Sequence, residues 1–176
     1  METPDIKINK ILYATDLSDG ARYAFAYATN LANTYGAHIV ILHVMTDTPS
    51  LDADVSGYIG EERWQEIKQK NFQETRAMLI GKKRDNSAIR EALLEFCENT
   101  KSKYENQSFD MDEIIVEKGN PVEHIIRLSN EKTCDVIVIG SRGHGSFSGT
   151  FIGSTAQRVI RKSSKPVFVV PLLGRD

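Results

Sequence analysis

The stretch that most constrains the fold of this chain is residues 135–154, which read DVIVIGSRGHGSFSGTFIGS. An apolar run ends at Gly140, four more glycines follow, and Ser154 opens a sequence typical of a helix start. The predicted order is strand, glycine-rich loop and helix. Because glycine lacks a Cβ, the loop backbone can approach a ligand closely, and its N–H groups and the positive end of the helix attract anions. The stretch therefore predicts a loop that binds a polyphosphate.

The glycine spacing excludes two common phosphate motifs and matches a third. The Walker pattern GxxxxGK[ST] is absent, and the GHG at 143–145 lacks the third glycine of GxGxxG. The spacing Gly140-x2-Gly143-x9-Gly153-Ser154 resembles in full the nucleotide-binding signature of the universal stress protein family, G-x2-G-x9-G-[ST]. The strand before the loop and the helix after it supply the expected context. The alternative is that the glycines only form a flexible surface turn.

The remaining strands are predicted at residues 8–15, 38–44 and 167–170, which are largely apolar, and at residues 111–117, which read MDEIIVE. Apolar residues at helical spacing predict a helix after the first strand, capped by Ser18 and ended by Gly36. Asn120 as a cap and Pro121 at the first helical position predict another helix after the third strand. In the last helix we expect Ala156, Val159 and Ile160 on the inner face.

Residues 46–108 interrupt this regular alternation. Residues 47–60 carry Pro, Gly, Ser and Asp, and we predict an exposed loop there. Helical patterns at 61–80 and from residue 87 onward indicate two helices, or one helix bent at Gly81. We interpret residues 46–108 as a helical insertion.

Strands that alternate with helices predict an α/β fold: a doubly wound, Rossmann-like, five-stranded parallel sheet with helices on both faces. The helical insertion lies between strands 2 and 3, and the length of 176 residues fits one domain over 1–176. Ligands of such sheets bind beyond the carboxyl ends of the strands, where the strand order reverses. If the first and fourth strands are neighbours there, Asp16 and the glycine loop face one crevice.

The composition is that of an ordinary globular protein, with 40% hydrophobic and 26% charged residues. The net charge of −2 gives no electrostatic case for nucleic acid or an anionic membrane, and no apolar run approaches the ~20 residues that span a bilayer. No signal peptide is visible, so we expect a cytoplasmic protein in which Cys97 and Cys134 are reduced core thiols. The four histidines are scattered and indicate no metal site.

The resemblance to universal stress proteins covers nearly the whole chain, from ILYATDLSDGARYAFAYATNLA through HIVILHV to KPVFVVP. It departs from many members in residues 46–108, where they have a single helix. Members with this glycine signature bind ATP, usually with Mg²⁺ nearby. The resemblance implies roles for six residues: Asp16 near the adenine and ribose, Val44 through its backbone at the adenine, Gly140 near the ribose and phosphates, and Gly143, Gly153 and Ser154 around the phosphates.

Three of these residues have a structural alternative. Asp16 can cap the first helix together with Ser18, and Ser154 is an ordinary N-cap residue with or without a phosphate. Val44 is a core strand residue in either interpretation. Arg142 is a weaker candidate for a phosphate contact, because loop side chains of this kind are more often exposed to solvent.

A phosphate loop without evident catalytic residues predicts an ATP-binding regulatory protein, whose nucleotide occupancy is read by an unknown protein partner. An efficient ATPase needs a group that orients water and charges that stabilise the transferred phosphoryl, and we find no Walker lysine and no convincing base. The alternative is a slow ATPase or a self-phosphorylating enzyme. It would use His144 as the base, or Ser146, Ser148 and Thr150 as acceptors.

The last strand, Val167–Val170, offers a further interpretation. In the expected strand order it lies at the edge of the sheet, and an unsatisfied apolar edge invites pairing with another strand. The resemblance implies a homodimer that forms by antiparallel pairing of this strand. A dimeric scaffold with a vestigial nucleotide site is therefore a third candidate function, unless a helix or loop covers the edge.

Overall fold

The computed structural model describes residues 5–46, 51–77, 84–103, 109–143 and 152–172. Strands and helices alternate along these ranges, apart from three successive helices between the second and third strands. No helix in the described ranges is long and apolar enough to cross a membrane. The elements are β1 (Lys10–Thr15), α1 (Asp19–Tyr35), β2 (His38–Met45), α2 (Leu51–Ile59), α3 (Glu61–Ala77), α4 (Arg84–Lys103), β3 (Asp110–Lys118), α5 (Pro121–Glu131), β4 (Val136–Gly140), α6 (Ser154–Lys162) and β5 (Val167–Val170).

The five strands form one parallel sheet in the order β3-β2-β1-β4-β5, which confirms the predicted fold class. The chain moves outward from β1 to β2 and β3, and then returns to the other side of β1 for β4 and β5. The strand order therefore reverses between β1 and β4. This is the position at which doubly wound sheets leave a crevice for a ligand.

Alternate residues of each central strand face opposite helical layers, since successive side chains of a strand point to opposite faces. Ile11 and Tyr13 of β1 pack with α1 and with the three helices α2–α4. Leu12 and Ala14 pack with α5 and α6. A strand buried on both faces must be apolar throughout, which explains the near-continuous apolar runs in the sequence.

The predicted helix boundaries are confirmed where local capping signals exist. The hydroxyl of Ser18 accepts a hydrogen bond of 3.2 Å from the N–H of Ala21, and Gly36 ends α1 in the left-handed conformation at φ 65°. Asn120 caps α5 by accepting from the N–H of Val122 at 3.0 Å, with Pro121 at the first helical position. These ends depend on residues that are close in sequence, and for that reason they are predictable.

The prediction of an exposed loop over residues 47–60 is wrong, because α2 occupies Leu51–Ile59. Its composition resembles that of a loop, but Val55 is buried and the ring of Tyr58 packs on Phe96 of α4, with 4.6 Å between ring centroids. Packing against α4 therefore overrides weak local helix propensity. The described part of the insertion contains three helices, whereas the sequence predicts two helices or one helix bent at Gly81. Gly81 itself lies outside the described residues.

Two details of α6 also differ from the prediction. Gly153 is the N-cap residue, with φ −69° and ψ 160°, and Ser154 is the exposed first residue of the helix. Ala156 and Val159 are buried as expected, whereas Ile160 is 44% exposed. One residue advances a helix by about 100°, so Ile160 is carried off the face that Val159 buries.

Both cysteines are buried and neither forms a disulfide, as the sequence predicts. Burial raises the pKa of Cys97 to about 12 and that of Cys134 to about 11. Both thiols therefore stay protonated near neutral pH.

Candidate functional site

A cavity of about 320 Å³ opens at the carboxyl ends of the central strands, between β1, β2, β4 and the start of α6. Its position coincides with the reversal of strand order between β1 and β4. The structure brings all six residues singled out from the sequence to the wall of this cavity: Asp16, Val44, Gly140, Gly143, Gly153 and Ser154.

Asp16 lies in the turn between β1 and α1, and it supports the cap of α1. Its Oδ1 accepts hydrogen bonds from the N–H of Ser18 at 3.1 Å and from the hydroxyl of Ser18 at 2.6 Å. Ser18 in turn caps the helix. Asp16 is exposed, and its other oxygen, Oδ2, lies beside Gly143. Oδ1 of Asp16 therefore supports the cap of α1, as one interpretation of the sequence predicts, while Oδ2 faces the glycine loop.

The residue after Asp16 has an unusual backbone. Leu17 has φ 66°, in the left-handed region that costs a side-chain-bearing residue roughly 1–2 kcal/mol. Its side chain is buried, and its N–H donates a 3.0 Å hydrogen bond to the hydroxyl of Thr15. These contacts hold the backbone that carries Asp16 at the edge of the cavity.

Gly140 has a packing role as well as a place in the cavity wall. A Cβ at this position would lie 3.1 Å from the carbonyl carbon and oxygen of Gly20 and 3.3 Å from the nitrogen of Ala21. A Cβ on Gly20 would lie 2.8 Å from the carbonyl oxygen of Arg142. The first turn of α1 can approach the end of β4 this closely because both positions are glycine.

The other two glycines of the signature are also tightly placed. A Cβ on Gly143 would overlap Oδ2 of Asp16. The N–H of Gly153 donates a 2.6 Å hydrogen bond to the carbonyl of Ser141, and a Cβ there would lie 3.2 Å from that oxygen. The two ends of the loop therefore meet, and at Gly143 and Gly153 the loop presents backbone atoms, and no side chain, to the cavity.

Three buried polar residues of the wall were missed in the sequence. Thr15, His43 and Ser141 all line the cavity and all are buried. The carbonyl of Thr15 accepts a 3.0 Å hydrogen bond from Nδ1 of His43, while the hydroxyl of Ser141 has no hydrogen-bond partner among the described residues. A signal for His43 did exist, because it is a polar residue within the otherwise apolar run HIVILHV. Ser141 lay within the signature, between Gly140 and Gly143.

The cavity combines an apolar part with an electropositive part. Leu42, Val44 and Ile139 contribute apolar wall, and Ser154 begins α6, whose N-terminal N–H groups carry partial positive charge. Arg142 is half-buried and also lines the cavity. His144, Ser146, Ser148 and Thr150, the candidates for phosphate contact or catalysis in the loop, lie outside the described residues.

The sequence as a whole matches one known family. The model of the universal stress protein family matches residues 7–171, which is nearly the full chain. The chain belongs to the universal stress protein family. Universal stress protein MJ0577 of Methanocaldococcus jannaschii is 28% identical over 174 residues, a match that covers 94% of this chain and 96% of that protein.

Solved universal stress proteins share the fold. A structure of MJ0577 aligns with a TM-score of 0.63 at 27% identity, covering 96% of this chain and 99% of that one. A universal stress protein in complex with cAMP aligns at 0.59 and 21% identity, covering 94% and 98%. The universal stress protein from Archaeoglobus fulgidus in complex with dAMP aligns at 0.52 and 20% identity, covering 94% and 99%.

Proposed function

We propose that this protein binds ATP in the cavity between β1 and β4 and acts as a regulatory protein of the universal stress type. The observation that carries the proposal is that the six residues singled out by the glycine signature and by the resemblance to the family line one cavity. They come from β2, from β4 and the loop after it, from the β1–α1 turn and from the start of α6. Residues so far apart in sequence share a wall only in the folded chain.

The cavity suits a nucleotide with its phosphates toward α6. Its volume of about 320 Å³ falls within the range of ligand sites, at the lower end. The apolar wall around Val44 suits a base, whereas the backbone of Gly143 and Gly153 and the N-terminus of α6 suit phosphate oxygens. The buried hydroxyl of Ser141 supports a polar ligand, because an unsatisfied buried hydroxyl costs roughly 1–3 kcal/mol.

Mg²⁺ fits this site as a companion of the phosphates. Mg²⁺ in nucleotide sites is usually held by one or two carboxylates together with phosphates and water. Asp16 is the one carboxylate among the described residues that line the cavity. When bound, the ion would neutralise phosphate charge. Because Oδ2 of Asp16 lies beside Gly143, we place this carboxylate at the phosphates and not near the adenine and ribose, the position that the resemblance implies.

The solved universal stress proteins that bind cAMP and dAMP support an adenine nucleotide as the ligand class. ATP is favoured within that class by the complete glycine signature and by the helix N-terminus beyond it. We propose that a protein partner reads the occupied state, and that the protein forms a homodimer through β5.

The first test is the nucleotide content of the purified protein. The protein is denatured and any released nucleotide is identified by mass spectrometry, and the emptied protein is then titrated calorimetrically with Mg-ATP, ATP without Mg²⁺, and AMP. We expect Mg-ATP to bind most tightly and AMP to bind weakly, because AMP lacks the phosphates that reach Gly143 and α6. Protein that carries no nucleotide and binds none of the three would overturn the proposal and favour a dimeric scaffold.

A further inference from the structure

We infer that Tyr58, which the inserted helix α2 supplies, is a positioning residue for the turn that holds Asp16, so that the insertion sets the affinity of the cavity for nucleotide. The inference rests on the nucleotide site proposed above. It assigns a specific contact and role to the inserted helix α2.

The link between the insertion and the cavity is a pair of hydroxyl groups. The hydroxyl of Tyr58 and the hydroxyl of Thr15 share a hydrogen bond of 2.9 Å across 43 positions of sequence. Thr15 is the last residue of β1 and lines the cavity. The same Thr15 oxygen accepts the N–H of Leu17 at 3.0 Å. Tyr58 therefore contacts the side-chain oxygen that accepts the N–H of Leu17, the residue directly after Asp16.

This turn needs support because its geometry is unfavourable on its own. Leu17 has a positive φ, which a leucine rarely adopts without contacts that impose it. Asp16 lies between Thr15 and Leu17, and a change in the φ of Leu17 would move Ser18, whose N–H and hydroxyl hold Oδ1 of the Asp16 carboxylate. A fixed Thr15 hydroxyl keeps the Leu17 N–H in place, and Tyr58 fixes that hydroxyl in turn.

Tyr58 is itself held rigidly by three helices. Its ring packs on Phe96 of α4 at 4.6 Å between centroids, and the guanidinium of Arg22 of α1 lies over the ring at 5.4 Å. Arg22 also donates a hydrogen bond to the carbonyl of Gly57, next to Tyr58 on α2. Burial raises the pKa of Tyr58 to about 12, so its hydroxyl keeps its proton at physiological pH.

A consequence follows from the reciprocity of coupled equilibria. If the position of α2 changes the affinity for nucleotide, then nucleotide changes the stability of α2 by the same factor. Helix α2 lies outside the sheet and partly on the surface, since Gly57 is exposed. Nucleotide binding in the cavity therefore changes the stability of a surface helix, and the hydrogen bond between Thr15 and Tyr58 couples the two.

The binding test uses hydroxyl deletions in the full chain with Mg-ATP as the probe. Tyr58→Phe keeps the ring and removes the hydroxyl, and we expect roughly three- to tenfold weaker binding, the effect of one hydrogen bond. Thr15→Val should weaken binding at least as much, and Thr15→Ser, which keeps the hydroxyl, should restore it. The double variant Tyr58→Phe/Thr15→Val should bind like Thr15→Val alone, because the two residues act through one contact.

Tyr35→Phe is the matched control, since Tyr35 is 52% exposed at the end of α1 and the same atom is removed. It should bind Mg-ATP like the unaltered protein. If Tyr58→Phe also binds normally, the inference is overturned while the proposed nucleotide site stands.

A second measurement needs no ligand and separates the two proposals. We expect the Leu17 amide of ligand-free Tyr58→Phe to exchange with solvent faster than that of the unaltered protein, measured by NMR, and the Leu17 amide of Tyr35→Phe to be unchanged. If the unaltered protein binds no nucleotide, the proposed function fails and this exchange rate still decides the positioning role. An unchanged Leu17 exchange rate in Tyr58→Phe would overturn that role.

Discussion

The carboxylate of Asp16 joins the fold to the proposed site through its two oxygens. Oδ1 accepts both hydrogen bonds of Ser18 and so supports the start of α1, while Oδ2 lies beside Gly143 at the cavity. A sequence motif alone treats such a residue as either a cap or a ligand. The structure makes both roles compatible, because each uses a different atom.

Asp16→Asn separates these roles. The amide oxygen of asparagine can still accept from Ser18, so we expect the melting temperature to stay close to that of the unaltered protein. A neutral acceptor makes a hydrogen bond about half as strong as a carboxylate does, and affinity for Mg-ATP should fall roughly tenfold. Asp16→Ala is the comparison: it removes both roles and should lower melting temperature and affinity together. Unchanged affinity in Asp16→Asn would leave Asp16 with the structural role alone.

Gly143 is constrained by its neighbour Asp16. Because a Cβ at this position would overlap Oδ2 of Asp16, Gly143→Ala forces either the loop or the carboxylate to move. We expect Mg-ATP affinity to drop by roughly tenfold or more with the circular dichroism spectrum retained, the cost of overpacking a close contact. If the clash is the cause, the loss of stability from Gly143→Ala should shrink in an Asp16→Ala background. Undiminished affinity in Gly143→Ala would contradict the assignment of this glycine to the phosphate cradle.

The sequence predicts those parts of helices and strands that residues close together in the chain determine. The Ser18 cap, the Gly36 stop and the continuous apolar strands are local signals, and the structure confirms them. Helix α2 was not predictable in this way, since Val55 and Tyr58 gain their helical setting from contacts with distant α4 and β1. The position of the cavity follows from fold rules, but its buried polar residues could not be assigned to it from the sequence. Local sequence does not distinguish a strand hydroxyl or imidazole that faces a ligand from one that faces the core.

Helix α2 can be tested through Gly57, which lies within it. Apart from its chain neighbours and the backbone of α2, the nearest atoms to an added Cβ are the guanidinium nitrogens of Arg22, at 3.7 Å. Alanine is also the better helix former, by roughly 0.5–1 kcal/mol. Gly57→Ala should therefore raise the free energy of unfolding by about that amount, measured in urea.

The matched control for Gly57→Ala is the same change at Gly36. Gly36 has φ 65° and no neighbour within 4 Å of an added Cβ, so Gly36→Ala should lower the free energy of unfolding through backbone strain alone, by ~1 kcal/mol. Opposite signs at the two glycines would support a helical α2 and a left-handed end of α1. A stability loss in Gly57→Ala would argue against the helix.

The outer edge of β5 has backbone groups that could pair with a strand of a second copy. The carbonyl of Pro166 accepts a hydrogen bond from Ile137 of β4, and that of Val170 accepts one from Ser141, directly after β4. Backbone groups alternate in direction along a strand. The groups of Val167 and Val169 therefore point away from β4, where no other strand of the described residues pairs with them. Phe168 is 39% exposed and packs on Tyr27 of α1, at 5.9 Å between ring centroids, so an aromatic surface adjoins the open edge.

Val169→Pro tests the homodimer through this edge. Proline removes the outward N–H of Val169 and leaves the hydrogen bonds to β4 intact, and proline is tolerated on edge strands for that reason. In analytical ultracentrifugation we expect the unaltered protein to sediment as a dimer and Val169→Pro as a monomer with nearly unchanged secondary structure. Leu94→Lys is the control, because Leu94 is 40% exposed on α4 and lies off the β5 edge. A dimer that survives Val169→Pro but dissociates in Leu94→Lys would move the interface from the strand edge to the inserted helices.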